Sequence, residues 1–151
     1  MAVAGLSSVG VTLGYGVGAS KPSSMTQLTR VSAIGGISIS TEQLDASALE
    51  DKLTRYIAGR GDTGGEWTLT FNLTNDTVSE LTTMIGAYDK TGATKMYFEV
   101  IAEGLDKAFW AVVQPPTAIP MPEIGQNEVL TVEMSMTVEE YIGLDTKVDF
   151  Q

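Results

Sequence analysis

Residues 66–73 have the sequence EWTLTFNL, in which a large apolar residue occupies every second position. This alternation predicts a β-strand with one buried face and one wet face. Residues 128–138, EVLTVEMSMTV, repeat the alternation over a longer run. Residues 95–103 and 107–113 are further β-like runs, and Gly104 between them predicts a hairpin turn. Antiparallel strands therefore dominate the predicted fold.

One segment has the periodicity of an α-helix. Over residues 78–88 the apolar side chains form a single stripe, and Thr77 with Glu80 has the spacing of a capping box. Shorter β-like runs occupy residues 28–34 and 37–40, and no strand–helix–strand rhythm follows. The sequence thus predicts a mainly β (α+β) fold: an antiparallel β-sandwich or barrel with one flanking α-helix.

Three segments of the predicted single domain, residues 1–151, lie outside this core. Residues 1–24 are apolar and rich in glycine, and they predict either an extended N-terminal arm or a frayed terminus. Residues 44–65 form a long polar loop whose few apolar residues have helical spacing, which predicts a short amphipathic helix or an ordered loop. Residues 139–151 predict a C-terminal arm.

The chain contains neither cysteine nor histidine. Disulfides, thiolate nucleophiles and a Ser-His-Asp triad are therefore excluded, and the commonest metal ligand is missing. The carboxylates lie in predicted loops or on predicted wet faces, where a solvated surface charge is the expected role. We expect no catalytic residue, no cofactor site and no metal site, so the chain is not predicted to be an enzyme.

The charge balance argues against nucleic-acid binding. Acidic residues outnumber basic ones by 19 to 9, and the formal net charge is -10. Duplex binding depends on Lys and Arg side chains that neutralise phosphates, so this surface should repel free nucleic acid. Glycine repeatedly interrupts residues 1–20, which lack the continuous apolar run of a signal peptide or a membrane span. We therefore expect no membrane partner.

Three large aromatic residues lie on neighbouring predicted strands, namely Trp67, Phe109 and Trp110. We expect them in the core rather than on a ligand platform. Adjacent residues of a strand point to opposite faces, so only one of Phe109 and Trp110 can point inward. The other is a candidate interface residue, because aromatic residues are enriched at interfaces.

Three stretches of the sequence carry a likeness to a known family. They are residues 39–45 (ISTEQLD), residues 56–62 (YIAGRGD), and residues 116–125 leading into residues 127–137 (NEVLTVEMSMT). In this order, with the strand, helix and hairpin between them, they resemble the major tail tube proteins of long-tailed (siphovirus-type), non-contractile bacteriophages. The resemblance covers roughly residues 28–142.

The resemblance implies a structural virion protein. In this family six subunits form a ring whose sheets join into one continuous β-barrel around a lumen, and stacked rings form the tube through which DNA is ejected. The implied main partner is the chain itself, in homo-hexameric rings, with tape measure, tail terminator and distal tail proteins as neighbours. Genomic DNA would pass through without specific binding. The expected location is the tail of the virion, after assembly in the bacterial host cytoplasm.

The resemblance also implies three sets of residues with structural roles. The long loop would contact the neighbouring ring through Leu49, Leu53, Tyr56 and Ile57. A negative lumen wall keeps passing DNA from sticking, and its candidates are Glu99, Glu103 and Glu133. The two arms would link subunits through Val9, Val11, Leu13, Tyr141, Leu144 and Phe150.

Two other functions fit the same sequence pattern. The first is the tube protein of a phage-derived contractile bacteriocin or secretion device, which would share the fold and the hexamer. The second belongs to a different class: a monomeric β-sandwich adhesin or carbohydrate-binding module. It predicts an exposed aromatic platform and sugar binding that Trp110→Ala weakens.

Overall fold

A computed structural model of the chain describes residues 10–50, 52–62, 65–88 and 95–148. This part of the chain forms nine strands and one helix. In chain order the elements are β1 (Thr12–Gly18), β2 (Thr26–Leu28), β3 (Val31–Ile34), β4 (Ser40–Asp45), β5 (Tyr56–Asp62), β6 (Glu66–Asn72), α1 (Asn75–Ala87), β7 (Lys95–Ile101), β8 (Ala108–Gln114) and β9 (Thr131–Asp145). The predicted mainly β fold with one flanking helix is confirmed.

Seven strands form one antiparallel sheet in the order β2-β1-β7-β8-β9-β6-β3. The predicted hairpin across residues 95–113 is the pair β7–β8. Strand β9 runs on to Asp145, so an arm beginning at residue 139 is the wrong description of residues 139–145. Beyond Val138, two register shifts against β8 interrupt the alternation of apolar and polar side chains. The sequence pattern therefore does not reveal the rest of the strand.

The connection between β2 and β3 forces the sheet to curl. These strands occupy opposite edges of the sheet, yet β2 ends at Leu28 and β3 begins at Val31. Three Cα–Cα steps span at most about 11 Å, so the two edges must come close together. The rings of Trp67 on β6 and Phe98 on β7 accordingly meet edge to face across the interior, with their centroids 5.5 Å apart. The result is a sandwich-like, nearly closed barrel.

The core fills the inside of this curled sheet. Alternate residues of β1, β6, β7, β8 and β9 form it, and Leu81 and Met84 of helix α1 pack against them. The helix begins earlier than predicted, because Thr74 rather than Thr77 is its N-cap: the Thr74 Oγ1 accepts a hydrogen bond of 3.1 Å from the Thr77 amide. Among the described residues, no helix is long and apolar enough to cross a membrane.

Residues 12–18 of the predicted N-terminal arm form an interior strand. Strand β1 pairs with β2 on one side and with β7 on the other, and Leu13 is only 1% exposed. At least one glycine of this segment has a packing role. A Cβ on Gly16 would lie 2.7 Å from the Met25 Sδ and 2.7 Å from the Pro22 Cγ, so the following segment packs directly on the strand. The prediction of an arm is therefore wrong for residues 12–18.

The outer face of the sheet is covered where β7 and β8 meet the end of the chain. The Thr146 carbonyl accepts hydrogen bonds from the Trp110 Nε1 at 3.2 Å and from the Lys21 Nζ at 2.8 Å. That Lys21 ammonium also lies 4.3 Å from the centroid of the Trp110 ring. The Val148 amide donates to the Glu99 Oε2 at 2.8 Å. We call residues 145–148, held by these contacts, the C-terminal clasp.

Candidate assembly surfaces

Strands β4 and β5 form a hairpin that is a separate two-stranded sheet. The predicted helix within residues 44–65 is therefore wrong. The Ser47 amide donates to the Asp45 Oδ1 at 2.9 Å, and the Ser47 Oγ accepts from the Arg55 amide at 2.8 Å. Ser47 thus closes the turn across the hairpin. The same backbone hydrogen bond from Ser47 lowers the pKa of the Asp45 carboxyl.

All four residues predicted to contact a neighbouring ring lie on this hairpin and are exposed. The exposed fraction is 108% for Leu49 and 83% for Leu53, and Tyr56 and Ile57 on β5 are exposed as well. Leu44, which pairs with Ile57, is also exposed. Large apolar side chains gathered on one projecting element are typical of a surface that another molecule covers.

A groove of about 270 Å³ opens at the root of the hairpin. The Gly35 carbonyl accepts a hydrogen bond of 2.6 Å from the Trp67 Nε1, and the Gly35 amide donates to the Thr68 carbonyl at 2.7 Å. A Cβ on Gly35 would lie 2.7 Å from that Thr68 oxygen, so only glycine lets the chain approach β6 so closely. The lining residues are Ile34, Gly35, Gly36, Ile37, Trp67, Val100, Phe109 and Tyr141.

A second exposed apolar segment lies between β8 and β9 and was not predicted as a contact surface. Met121 is 87% exposed, Val129 is 72% exposed, and Ile124 is exposed between them. The segment is tied to the body where the Leu73 amide donates to the Leu130 carbonyl at 2.8 Å. The signal in the sequence is a set of apolar residues scattered through a link that contains prolines, which stop strand pairing and leave these side chains without a sheet to cover them.

The three acidic residues predicted for a lumen wall do not share one surface. Glu99 is fully buried beneath the C-terminal clasp, so its prediction as a lumen residue is wrong. The local pattern placed it on the wet side of β7, but the end of the chain covers that side. Glu103 is exposed in the turn after β7, with its carboxylate beside Gly10. Glu133 is exposed on β9, opposite Thr70 of β6.

The residues predicted as arm contacts are also distributed differently. Leu13 lies in the chain's own core, and Tyr141 packs against that core, so neither acts from an extended arm. Val11 is half-buried beside β3, and Leu144 is 54% exposed opposite Phe109. The remaining two predicted contacts, Val9 and Phe150, lie outside the described residues.

The aromatic residues leave no sugar platform at Trp110. Trp67 and Trp110 are buried, on opposite faces of the sheet, while Phe109 is 38% exposed at the groove. Adjacent residues do point to opposite faces, but the clasp also covers the face on which Trp110 lies. In the described part of the chain, no group of three or more acidic, histidine or cysteine side chains could hold a metal ion.

These features define the class of fold: a curled antiparallel sheet with one flanking helix and a projecting apolar hairpin. No protein-family model and no curated protein sequence matches the chain. A chain in the cryo-EM structure of the anti-feeding prophage (AFP) baseplate, 6-fold symmetrised, has a similar structure, with a TM-score of 0.59 and 14% sequence identity. The match covers 97% of this chain and 99% of the other, so the two share one fold over nearly their whole lengths.

Proposed function

We propose that this chain is a structural subunit of a phage-type tail, which assembles into hexameric rings that stack into a tube. The observation that carries the proposal is the fold shared almost end to end with a chain of a prophage baseplate. The sequence resemblance to tail tube proteins supports the same role independently of that match. The tube would be the conduit for DNA ejection, located in the tail of the virion after assembly in the host cytoplasm.

The prophage match favours a second candidate within the same class. The similar chain belongs to an anti-feeding prophage baseplate rather than to a long-tailed phage. A tube protein of a phage-derived contractile bacteriocin or secretion device therefore remains an alternative, with the same fold and ring. The components that dock on the tube separate the two candidates. The monomeric adhesin is disfavoured, because Trp110 is buried and offers no platform for a sugar.

The proposed partners follow from the tube role. Copies of the chain are the main partner, and tape measure, tail terminator and distal tail proteins are the expected neighbours. DNA passes without specific binding, which suits a chain with a net charge of -10. The proposal assigns no catalytic residue and no cofactor, and the chain acts as a scaffold rather than as an enzyme.

The hairpin is the proposed contact between rings. Leu49 and Leu53 contribute little to the stability of the single subunit, because both side chains stay exposed when it folds. Burying a leucine side chain contributes about 1.5–3 kcal/mol, so a neighbouring ring that covers both residues would be held firmly. Each 1.4 kcal/mol corresponds to about a tenfold change in the association constant.

The test is negative-stain electron microscopy of the purified protein at rising concentration. We expect six-fold rings or hollow tubes, and we expect Leu49→Ser with Leu53→Ser to need at least about a hundredfold higher concentration to form tubes. Val78→Ser, at an exposed apolar residue of helix α1, is the matched control and should assemble as the natural chain does. Isolated small globules at every concentration would refute the tube role, and unimpaired stacking of the double variant would refute the hairpin contact.

A further inference from the structure

The groove at the root of the hairpin is lined by aromatic side chains of three strands. They are Trp67 of β6, Phe109 of β8 and Tyr141 of β9. The groove has a volume of about 270 Å³, and Phe109 is 38% exposed beside it. Proteins commonly bind proline-rich segments in grooves lined by aromatic residues. This groove is therefore suited to an apolar segment that contains proline.

The chain itself contains a segment of this kind. We call residues 115–130, which connect β8 and β9, the proline-rich link. It holds four of the five prolines of the chain. Because proline fixes φ, such a segment is extended before it binds and loses little conformational freedom on binding. Met121 lies between two of these prolines and is 87% exposed, and Ile124 is 63% exposed. The link thus presents pre-ordered apolar side chains that its own subunit leaves uncovered.

The subunit does not fill the groove with its own link. Among the described residues that line the groove, none belongs to the link. Phe109 is the second residue of β8, and the link begins after Gln114, at the other end of that strand. Five residues of an antiparallel strand span about 17 Å, so the groove and the start of the link lie well apart. A link that occupies the groove then comes from a second molecule.

The charges of the two surfaces are complementary. The link carries Glu123 and Glu128 and contains no lysine or arginine. Lys107 is exposed beside the start of β8, near the groove, and Lys52 and Arg55 are exposed at the tip of the hairpin, where two carboxylates make the tip neutral. The net charge of the whole chain is -10, so most other surfaces of a second copy repel an acidic segment. These cations favour the hairpin and its groove as the site for the link.

The lengths of the link and the hairpin also agree. From Met121 to Glu128 the link covers seven residues, which span about 22 Å when a proline-rich chain is extended. From Ser40, at the start of β4, to Ser47 in the turn, the hairpin also covers seven residues, which span about 23 Å. A link with Met121 at the root of the hairpin therefore places Glu128 near its tip.

We propose that the proline-rich link of a subunit in the next ring lies along the hairpin, with Met121 in the groove and Glu128 at the hairpin tip. This inference rests on the proposed tube function and names the surface that the hairpin contacts. The contact joins two unlike surfaces, so each subunit receives one link and donates its own to another subunit. Such a heterologous contact does not close on itself and can repeat from ring to ring.

Oxidation of methionine in the natural chain tests whether the link is covered in tubes. Met121 is 87% exposed, and the other described methionines serve as internal controls because each is at most 1% exposed: Met25, Met84, Met96, Met134 and Met136. Tubes and dissociated subunits are treated with hydrogen peroxide, and mass spectrometry measures the sulfoxide at each position. Since oxidation requires access to the sulfur, we expect Met121 to react at least about tenfold more slowly in tubes. Equal rates in tubes and subunits would overturn the proposal.

A cross-link tests which surface covers the link. The chain contains no cysteine, so only introduced thiols react with a short bismaleimide. Tubes are assembled from a mixture of Met121→Cys and Phe109→Cys chains, or from Met121→Cys and Thr82→Cys chains as the matched control on the exposed side of helix α1. We expect a cross-linked dimer in the first mixture and none in the second. Tubes that give no dimer with Phe109→Cys, or an equal yield with Thr82→Cys, would overturn the proposal.

A synthetic peptide of residues 115–130 tests the same contact on unassembled subunits, without any need for tubes. We expect the peptide to change the fluorescence of Trp67 in the groove, and a Met121→Ser peptide to bind at least about tenfold more weakly. The Phe109→Ser protein, checked for its folding by denaturant unfolding, should also bind the natural peptide more weakly. A peptide that fails to bind, or that binds equally well after either substitution, would overturn the docking of the link. A chain that binds the peptide but forms no tubes would instead refute the proposed tube function.

Discussion

The curled sheet and the β4–β5 hairpin use the same kinds of apolar residues in opposite ways. In the sheet, Leu69 and Phe98 are fully buried against strands of the same chain. In the hairpin, Leu49 and Leu53 are almost wholly exposed, because the two strands pair with each other and form a separate sheet. Apolar residues of the body therefore stabilise the single subunit. Those of the hairpin can contribute only when a second molecule covers them.

The largest expected effect tests this contrast with one truncation in each region. Phe98→Ala removes a ring that packs against Trp67 at 5.5 Å and Tyr15 at 6.3 Å, so it should lower the free energy of unfolding by about 3–5 kcal/mol. Leu53→Ala should change it by less than about 0.5 kcal/mol, since the side chain is exposed. Denaturant unfolding of unassembled protein measures both variants.

The contrast fails if the two variants behave alike. A large loss of stability in unassembled Leu53→Ala protein would mean that the hairpin packs against its own body in solution. If the double variant Leu49→Ala with Leu53→Ala formed tubes at the same concentration as the natural chain, the hairpin would have no role in assembly. Either result removes the physical reason for treating the two regions separately.

The two regions also differ in how far the sequence predicts them. The sequence predicts the body, meaning the curled sheet and its helix, well where one face of a strand packs on the core and the other is wet. Apolar and polar residues then alternate strictly, as in β6 and in the first part of β9. Strand β1 was missed, because Gly14 and Gly16 have no side chains to alternate, although the strand is interior. In the hairpin, the spacing of Leu49, Leu53 and Tyr56 suggested a helix, yet none of these residues packs on a core that would enforce helical spacing.

The candidate assembly surfaces were predicted only in part for a related reason. Apolar residues in a polar loop are conspicuous in a sequence, and the four predicted hairpin residues are exposed in the structure. Glu99 was misplaced because burial by residues 146–148 depends on a contact between distant parts of the chain, which no local pattern reveals. The cover over Trp110 likewise depends on a contact between distant parts of the chain, in which Lys21 and Thr146 meet at that side chain.

An intermediate effect is expected at the junction between body and hairpin. Gly35→Ala would bring a Cβ within 2.7 Å of the Thr68 backbone oxygen, which cannot move without disturbing β6. We expect a loss of about 1–3 kcal/mol in the free energy of unfolding. Gly36→Ala is the matched control, because a Cβ there meets nothing within 4 Å. Thermal and denaturant unfolding of the two variants should separate them.

The outcome at this junction sharpens the contrast further. If Gly35→Ala is destabilised while Gly36→Ala is not, the close approach of Gly35 to Thr68 is required to hold the junction against β6. Equal stability of the two variants would contradict that requirement. Equal destabilisation would show that backbone freedom at both glycines, rather than the steric contact at Gly35, is what the fold requires.

The smallest expected effect compares two carboxylates, one in each region. Asp145 accepts a hydrogen bond of 2.8 Å from the Thr146 amide and lies 3.4 Å from the Lys21 ammonium. The backbone hydrogen bond is the main reason why the pKa of Asp145 lies below its ordinary value of 3.8, and Lys21 lowers this pKa further. The hydrogen bond from the Ser47 amide lowers the pKa of Asp45 in the hairpin in the same direction. Both folded-state shifts favour the charged form.

A lowered pKa in the folded state stabilises the fold above the ordinary pKa, and this contribution is lost as the pH falls through the folded value. Asp145→Asn should therefore be slightly less stable than the natural chain at neutral pH, and the difference should shrink as the pH falls below about 4. Asp45→Asn should leave global unfolding unchanged at every pH, because its hydrogen bond lies within a hairpin that is not packed into the body. A pH series of denaturant unfolding curves measures both. If Asp45→Asn lowered global stability as much as Asp145→Asn, the hairpin would unfold together with the sheet, and its exposed leucines would have to be assigned to folding as well as to assembly.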